Sequence, residues 1–279
     1  NVIAANPLNV LRNSTAFNYR LINENILRYN HKFNGKHDLS VLLGHSIQYN
    51  RNDGFSGSLK NFPTDGLQEF NAGGVTEPNV GGGASESALQ SFFSRVNYAY
   101  DGKYLVELNM RRDGSSRFSQ KNRYGNFPSL SAGWRISQEK FMRRISWLTD
   151  LKLRASWGIT GNDNIADYLY AQTYNGGLDY FLGNNIVSAV AITTLANPNV
   201  KWETIEQYDI GVDATFFNNK LSVTADYFER RSYDLLYSRF PIPSSIGVTN
   251  LSAINAASMI NKGVEVVVNY RGNFKDVNY

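Results

Sequence analysis

The strongest constraint on this chain is a hydrophobic period of two. Apolar residues stand at Leu39, Val41, Leu43, Ile47 and Tyr49, with Ser40, Gly44, Ser46 and Gln48 between them. The period returns at Phe92, Val96, Tyr98 and Tyr100, and again at Tyr104, Val106, Leu108 and Met110. Leu130, Ala132, Trp134 and Ile136 follow, then Leu151, Leu153, Ala155, Trp157 and Ile159. Tyr208, Ile210, Val212, Ala214 and Phe216 lead to Leu221, Val223, Ala225 and Tyr227, and Val264, Val266, Val268 and Tyr270 close the series. Successive side chains of a strand point to opposite faces, so each segment predicts a strand with one apolar and one polar side. With an earlier strand over residues 18–33, the pattern gives roughly nine strands.

Hairpin parity ties these strands together. Two paired strands must put their apolar rows on one face, which sets whether the loop has an odd or even length. Tyr100 then faces Tyr104 across Asp101-Gly102-Lys103, and Phe216 faces Leu221 across residues 217–220. Phe33 faces His37 across Asn34-Gly35-Lys36, which sets Tyr29 opposite Val41. Tight turns near residues 35, 102 and 218, and a moderate one at 139–147, alternate with long connections. Those connections run over 51–90, 113–124, 162–201 and 238–261. Short turns at one end and long loops at the other are the habit of outer-membrane barrels, whereas a soluble sandwich has no reason to segregate loop length. The expected fold is all-β: an antiparallel up-and-down transmembrane β-barrel wall, with short periplasmic turns and long extracellular loops.

Charge placement agrees. A Lys or Arg facing lipid at mid-bilayer costs about 2–4 kcal/mol, falling towards zero at the interfaces. The apolar rows are free of charge along their centres and meet Glu206, Glu229 and Arg231 only towards the long-loop end. The alternate rows hold Arg28, Arg95, Glu107, Arg135, Lys152, Arg154, Asp209, Asp213, Asp226 and Glu265, a composition suited to a wet lumen and costly in a dry core. No run of about 18 apolar residues predicts a membrane helix, but a spanning strand needs only about 10 residues, half of them apolar. The 17 Tyr and 16 Phe suit strands and membrane interfaces. Scattered basic residues and a net charge of +4 argue against nucleic acid as a partner. Zero cysteines excludes a disulfide scaffold. No signal peptide is read at Asn1-Val2-Ile3, so an exported protein of this sequence is expected to be a mature chain or a piece of one.

The stretch from Arg111 onward carries a family pattern. Arg-Arg-Asp-Gly-Ser-Ser-Arg-Phe (111–118) is followed by Asn-Arg-Tyr-Gly-Asn-Phe-Pro-Ser (122–129), Gly-Trp-Arg-Ile-Ser (133–137) and Glu-Lys-Phe-Met (139–142). Then come Leu-Lys-Leu-Arg-Ala-Ser-Trp-Gly (151–158) with Thr-Gly-Asn (160–162), and Trp202-Glu203 with Tyr-Asp-Ile-Gly (208–211). Asp-Tyr-Phe (226–228) and Asn-Lys-Gly-Val-Glu (261–265) complete the series. In order and spacing this resembles the SusC/RagA family of TonB-dependent outer-membrane transporters, over roughly residues 90–270. The resemblance implies a barrel of about 22 strands closed by an N-terminal plug domain. It implies import of glycans or peptides in Bacteroidetes-type bacteria, energy from the TonB complex, and a SusD-like surface lipoprotein at the mouth. Neither plug nor TonB box is read here, so residues 1–279 are expected to be a partial barrel domain. The other class of reading is a soluble β-rich carbohydrate-binding module, which predicts that the apolar rows pack in a dry core.

No catalytic, cofactor-binding or metal-ligating set emerges. His31, His37 and His45 are not joined by carboxylates, and the register sets His45 opposite Asn25, away from His31. Gly161-Asn162-Asp163-Asn164 reads as a turn, lacking the spacing and later Glu of a calcium loop. Gly81-Gly82-Gly83 reads as a flexible loop, and Asp113 to Arg117 as a polar loop at the outer rim, its serines without a positioned base. The one ligand feature is aromatic: Tyr168, Tyr170, Tyr174, Tyr180 and Phe181 lie in a loop rich in Asn and Gly. Their rings can stack on sugar faces or peptide side chains, contact a lid protein, or fold the loop onto itself.

Overall fold

The computed structural model describes residues 9–64, 66–74, 78–142, 144–237, 243, 245, 247–248, 250–274 and 277–278. Its strands are β1 (Val10–Phe33), β2 (His37–Lys60), β3 (Asn79–Tyr100), β4 (Tyr104–Ser115), β5 (Tyr124–Arg135), β6 (Leu148–Asn162), β7 (Asn175–Leu182) and β8 (Asn185–Ala191). Then come β9 (Thr194–Leu195), β10 (Glu203–Phe216), β11 (Leu221–Tyr237), β12 (Asn250–Leu251), β13 (Ile254–Tyr270), β14 (Asn273–Phe274) and β15 (Val277–Asn278). One nine-stranded sheet runs in the order β1-β2-β3-β4-β5-β6-β10-β11-β13. Each wall strand therefore pairs with the next one along the chain. The pairs β7–β8 and β9–β12 belong to the long connections, and β14–β15 is a separate ladder.

The turns follow parity. Tyr100 faces Tyr104, and Phe216 faces Leu221. Asn34 and Gly35 have φ of 47° and 66°, Asp101 and Gly102 of 52° and 67°. Two successive left-handed residues match the twist of a tight hairpin, and Asn-Gly or Asp-Gly reaches them at least cost. Neighbouring turns are stitched sideways, Asp101 N donating to Lys36 O at 2.7 Å and Arg135 N to Lys103 O at 2.8 Å.

The packing is inverted relative to a soluble domain. Leu43, Ile47, Phe92, Val106, Leu108, Met110, Leu130, Leu153, Ile210, Val264, Val266 and Val268, all from the apolar rows, are exposed. The buried hydrophobics among the described residues are Leu59, Phe62, Phe118, Phe127, Val200, Trp202 and Ala253. Most of these sit at the long-loop end, and none belongs to the centre of an apolar row. Each exposed large side chain forgoes about 1.5–3 kcal/mol if left in water, so such rows require hydrocarbon. The dry core of a carbohydrate-binding module is absent from the described residues.

At the turn end a row of rings crosses four adjacent strands. Ring centroids lie 4.9 Å apart for His37 and Tyr100, 6.2 Å for Tyr100 and Tyr104, and 6.3 Å for Tyr104 and Trp134. Trp147 stacks on Phe216 at 5.8 Å further along. Aromatic girdles of this kind mark a membrane interface.

Several strands outrun their alternation. β2 reaches Lys60 and β3 starts at Asn79, so the first long connection covers 61–78 instead of 51–90. Gly81–Gly83 is strand, not loop. β1 starts at Val10 instead of residue 18, and β13 at Ile254, shortening the last connection. Of that connection, residues 238–242, 244, 246 and 249 lie outside the described residues. These extensions lie past the apolar rows, where both faces are polar and no period of two is imposed. Glycine suits the pairing there, since a Cβ on Gly82 would stand 3.0 Å from Gly54 O.

The chain forms two compact units, residues 1–22 with 48–88, and 23–47 with 89–279. In the first, Arg51 pairs with Asp53 at 2.8 Å and with Glu86. Asn9 and Phe62 exchange hydrogen bonds of 3.1 and 2.8 Å. The features below belong to the second.

Candidate functional site

The polar face carries an ion cluster built from three strands. Gly211 of β10 faces Arg154 on β6 and Asp226 on β11. With no side chain at 211, the guanidinium lies across the sheet. It reaches Asp226 at 2.7 Å, Asp213 at 3.1 Å and Asp209 at 3.4 Å. Thr224 Oγ1 donates to Asp213 at 3.1 Å, and Glu265 faces Asp226 from β13. Carboxylates thus outnumber the guanidinium they surround. The arrangement ties three strands in register and leaves a local excess of negative charge around Arg154.

Above it, the long connections fuse into one block. Arg117, from the β4–β5 connection, donates to Asp167 at 2.9 Å and to the Asp163 carbonyl at 3.2 Å, and Ser115 Oγ donates to Asp163 at 2.8 Å. Asn122 donates to the carbonyls of Asn199 and Val200, at 3.0 and 3.1 Å, and Trp202 Nε1 donates to Arg123 O at 3.1 Å. Between these bonds Phe118, Phe127, Val200 and Trp202 form a buried core, with Leu89, Ile159, Ile165, Tyr170 and Leu236 packed against it. The β11–β13 connection joins through Asn197, which donates to Ala253 O at 2.8 Å, and through Asn255 and Lys201, bonded reciprocally at 2.9 and 3.0 Å. Glu203 ties the wall to the block, accepting from Asn162 Nδ2 at 2.6 Å and Leu236 N at 2.8 Å.

The five loop aromatics do not form one surface. Tyr170 packs on the loop core, and Tyr168 is exposed in a turn with φ of 65°. Tyr174 precedes the β7–β8 hairpin, where Tyr180 faces Val187 and Phe181 faces Ile186. Being adjacent, Tyr180 and Phe181 point to opposite faces. Both are about two-thirds exposed, and Leu178, Leu182, Ile186, Val187 and Val190 are exposed with them. Gln172 clasps the hairpin's base, donating to Thr194 O at 2.7 Å and accepting from Ala196 N at 3.2 Å.

The histidines have aromatic partners. His31 meets Phe33 edge-on at 4.2 Å, His37 lies 2.7 Å from the Tyr98 hydroxyl, and His45 tilts on Phe92 at 4.7 Å. Sequence reasoning missed Arg117 and Trp202 as the clamps of the loop block. Their signal was the family motifs themselves, whose polar residues recur without period and converge only in space.

Comparison with known proteins agrees with this geometry. Residues 3–279 match the family model described as TonB dependent receptor-like, beta-barrel. TonB-dependent receptor P39 of Formosa agariphila is 39% identical over 253 residues, which is 90% of this chain and 24% of that protein. TonB-dependent receptor SusC of Bacteroides thetaiotaomicron is 38% identical over 190 residues, 67% of this chain and 19% of that protein. Among solved structures, the RagAB peptide importer in its closed-closed state superposes with a TM-score of 0.87 at 31% identity, covering 98% of this chain and 30% of that one. The chain spans about a quarter or less of the length of these curated relatives. With strands whose apolar rows face outward, turns at one end and fused loops at the other, this chain belongs to the TonB-dependent receptor β-barrel family, among its SusC/RagA-type outer-membrane members.

Proposed function

We propose that this chain is a stretch of wall and external loops of an outer-membrane nutrient importer that takes up glycans or peptides. In the complete protein it works with a SusD-like surface lipoprotein and draws energy from the TonB complex through a plug domain. The plug and the remaining strands belong to the length not covered by residues 1–279. The observation that carries this reading is the likeness to the RagAB peptide importer over 98% of the chain.

The chain's own part is mechanical. The wall fixes a charged polar face, and the β6–β10 connection carries an exposed aromatic hairpin at the long-loop end. Tyr174, Tyr180 and Phe181 offer ring faces to a sugar, a peptide side chain or the lipoprotein, as Tyr168 does from its own turn, while Tyr170 anchors the loop. The barrel does no covalent chemistry in this reading.

The test is uptake by cells carrying or lacking the complete receptor, with a labelled oligosaccharide mixture and a labelled peptide mixture as probes. Deletion of the receptor, or of TonB, is expected to abolish uptake of one mixture, and which one names the substrate class. Unchanged uptake of both would sink the proposal. A tagged receptor is expected to bring down a surface lipoprotein.

A further inference from the structure

Arg112 stands on the lipid-facing row of β4, beyond Met110, opposite Phe92 of β3 and Asn126 of β5. It is exposed, and its side chain makes no ion pair or hydrogen bond among the described residues. Its one contact is aromatic, the guanidinium carbon lying 4.9 Å from the centre of the Tyr124 ring. That ring is itself fixed. Tyr124 faces Gly114 across the β4–β5 ladder, and a Cβ on Gly114 would stand 2.4 Å from it, so the ring lies flat over β4. Crossing β4, the Tyr124 hydroxyl donates to Gln90 of β3 at 3.0 Å, and Gln90 Nε2 lies 3.2 Å from His45 Nε2 on β2. A polar ladder therefore runs over four strands just beyond their apolar rows.

Its height matters. Arg112 stands eight residues beyond Tyr104 of the aromatic row, and the same face of β4 between them carries exposed Val106, Leu108 and Met110. At about 3.3 Å per residue and a tilt of about 40°, Arg112 lies roughly 20 Å above that row. An outer-membrane apolar band is about 25 Å tall, and an Arg side chain can extend towards the headgroups. Arg231, the comparable cation on β11, already holds Glu229 at 2.6 Å. Arg112 holds nothing.

We infer that Arg112, braced on Tyr124, binds the phosphate of an outer-leaflet membrane lipid. A guanidinium presents a planar fork of donors that matches phosphate oxygens, the ring face holds it in place, and Phe92 beside it and Met110 below offer contact to acyl chains. The inference rests on the outer-membrane placement and not on what the receptor imports.

The test is native mass spectrometry of the complete receptor, purified and delipidated, with dioleoyl phosphatidic acid, dioleoyl phosphatidylcholine and inorganic phosphate as separate probes. Wild type is expected to retain phosphatidic acid in preference to phosphatidylcholine. Arg112→Gln should weaken that retention roughly tenfold or more, the scale of a lost charge-assisted hydrogen bond. Tyr124→Leu should reduce it, while Arg231→Gln leaves it intact. Equal retention by wild type and Arg112→Gln overturns the inference, as does displacement of the lipid by inorganic phosphate, which would make this a site for the free anion. The heat-shifted gel migration of a folded barrel is read on every sample, so binding is judged on folded protein. Uptake is measured separately, and its loss or survival does not bear on lipid retention.

Discussion

Gly211 lies beneath the Arg154 guanidinium: a Cβ here would stand 2.7 Å from Arg154 Cζ and 2.1 Å from Asp226 Oδ1. The side chains it would strike are flexible, but they are tied to one another and to Asp213. Gly211→Ala should therefore part the cluster and destabilise the wall by about 1–3 kcal/mol, the range for overpacking. The measurement is the urea midpoint of the complete receptor refolded into vesicles. An unchanged midpoint would show that the cluster contributes nothing to stability.

Phe127 fits a slot with glycine on two sides. Cβ atoms on Gly125 and Gly161 would stand 2.3 and 2.1 Å from its ring, which packs edge-on against Trp202 at 5.3 Å. Phe127→Ala would empty the centre of the loop core, a change of about 3–5 kcal/mol where the surroundings do not collapse. Because Phe118, Val200 and Trp202 lie on the connections while Phe127 sits at the loop end of β5, amide exchange should accelerate over residues 116–123 and 197–202 and stay slow in the turn-side halves of β4, β5 and β6. Uniform acceleration would mean that wall and loops open together.

The wall was legible because lipid on one side and water on the other impose a period of two, and because turn parity then fixes the partners. Tyr100 with Tyr104 and Phe216 with Leu221 needed nothing more. Strand length was not legible, because beyond the membrane both faces are wet and Gly81–Gly83 pairs as strand without any pattern. The loop block was illegible for another reason. Arg117 and Asp167, or Asn122 and Val200, are partners at long range set by loop paths, which no local spacing encodes. Arg112 escaped notice because one cation past the end of an apolar row looks like ordinary solvated surface. Its stacking on Tyr124 depends on Gly114, two residues away.

The turn end should respond to acid. Tyr104 OH and Trp134 Nε1 both donate to Glu139 Oε1, at 2.7 and 3.3 Å, and Lys103 Nζ lies 3.8 Å from Glu139 Oε2 beside Asp101. The Tyr104 hydrogen bond first, then Trp134 and the Lys103 charge, hold the Glu139 carboxyl below its ordinary value of 4.5. A depressed carboxyl stabilises the folded state above its unfolded pKa, and that contribution is lost as pH falls through the folded value. Lowering pH below about 4.5 should therefore weaken this corner and shift Trp134 fluorescence. Glu139→Gln should remove that acid step and leave neutral-pH folding intact. If the variant retains the same step, another group is titrating.

The hairpin of β7 and β8 offers a cleaner separation of folding from function. Tyr180 and Phe181 are about two-thirds exposed and lie on opposite faces of a ribbon that neither the wall nor the loop core covers. Replacing both with serine removes ring surface without opening a cavity, so heat-shifted migration and membrane insertion should be those of the wild type. Each ring contact with a partner is worth about 0.5–1.5 kcal/mol beyond its buried area, so uptake or lipoprotein capture should fall roughly 2–10-fold per ring engaged. Single replacements then tell the two faces apart: loss confined to Tyr180→Ser places the partner on the Val187 side, and loss confined to Phe181→Ser on the Ile186 side. If the double variant takes up substrate and holds its lipoprotein as the wild type does, the hairpin's exposed rings serve neither purpose.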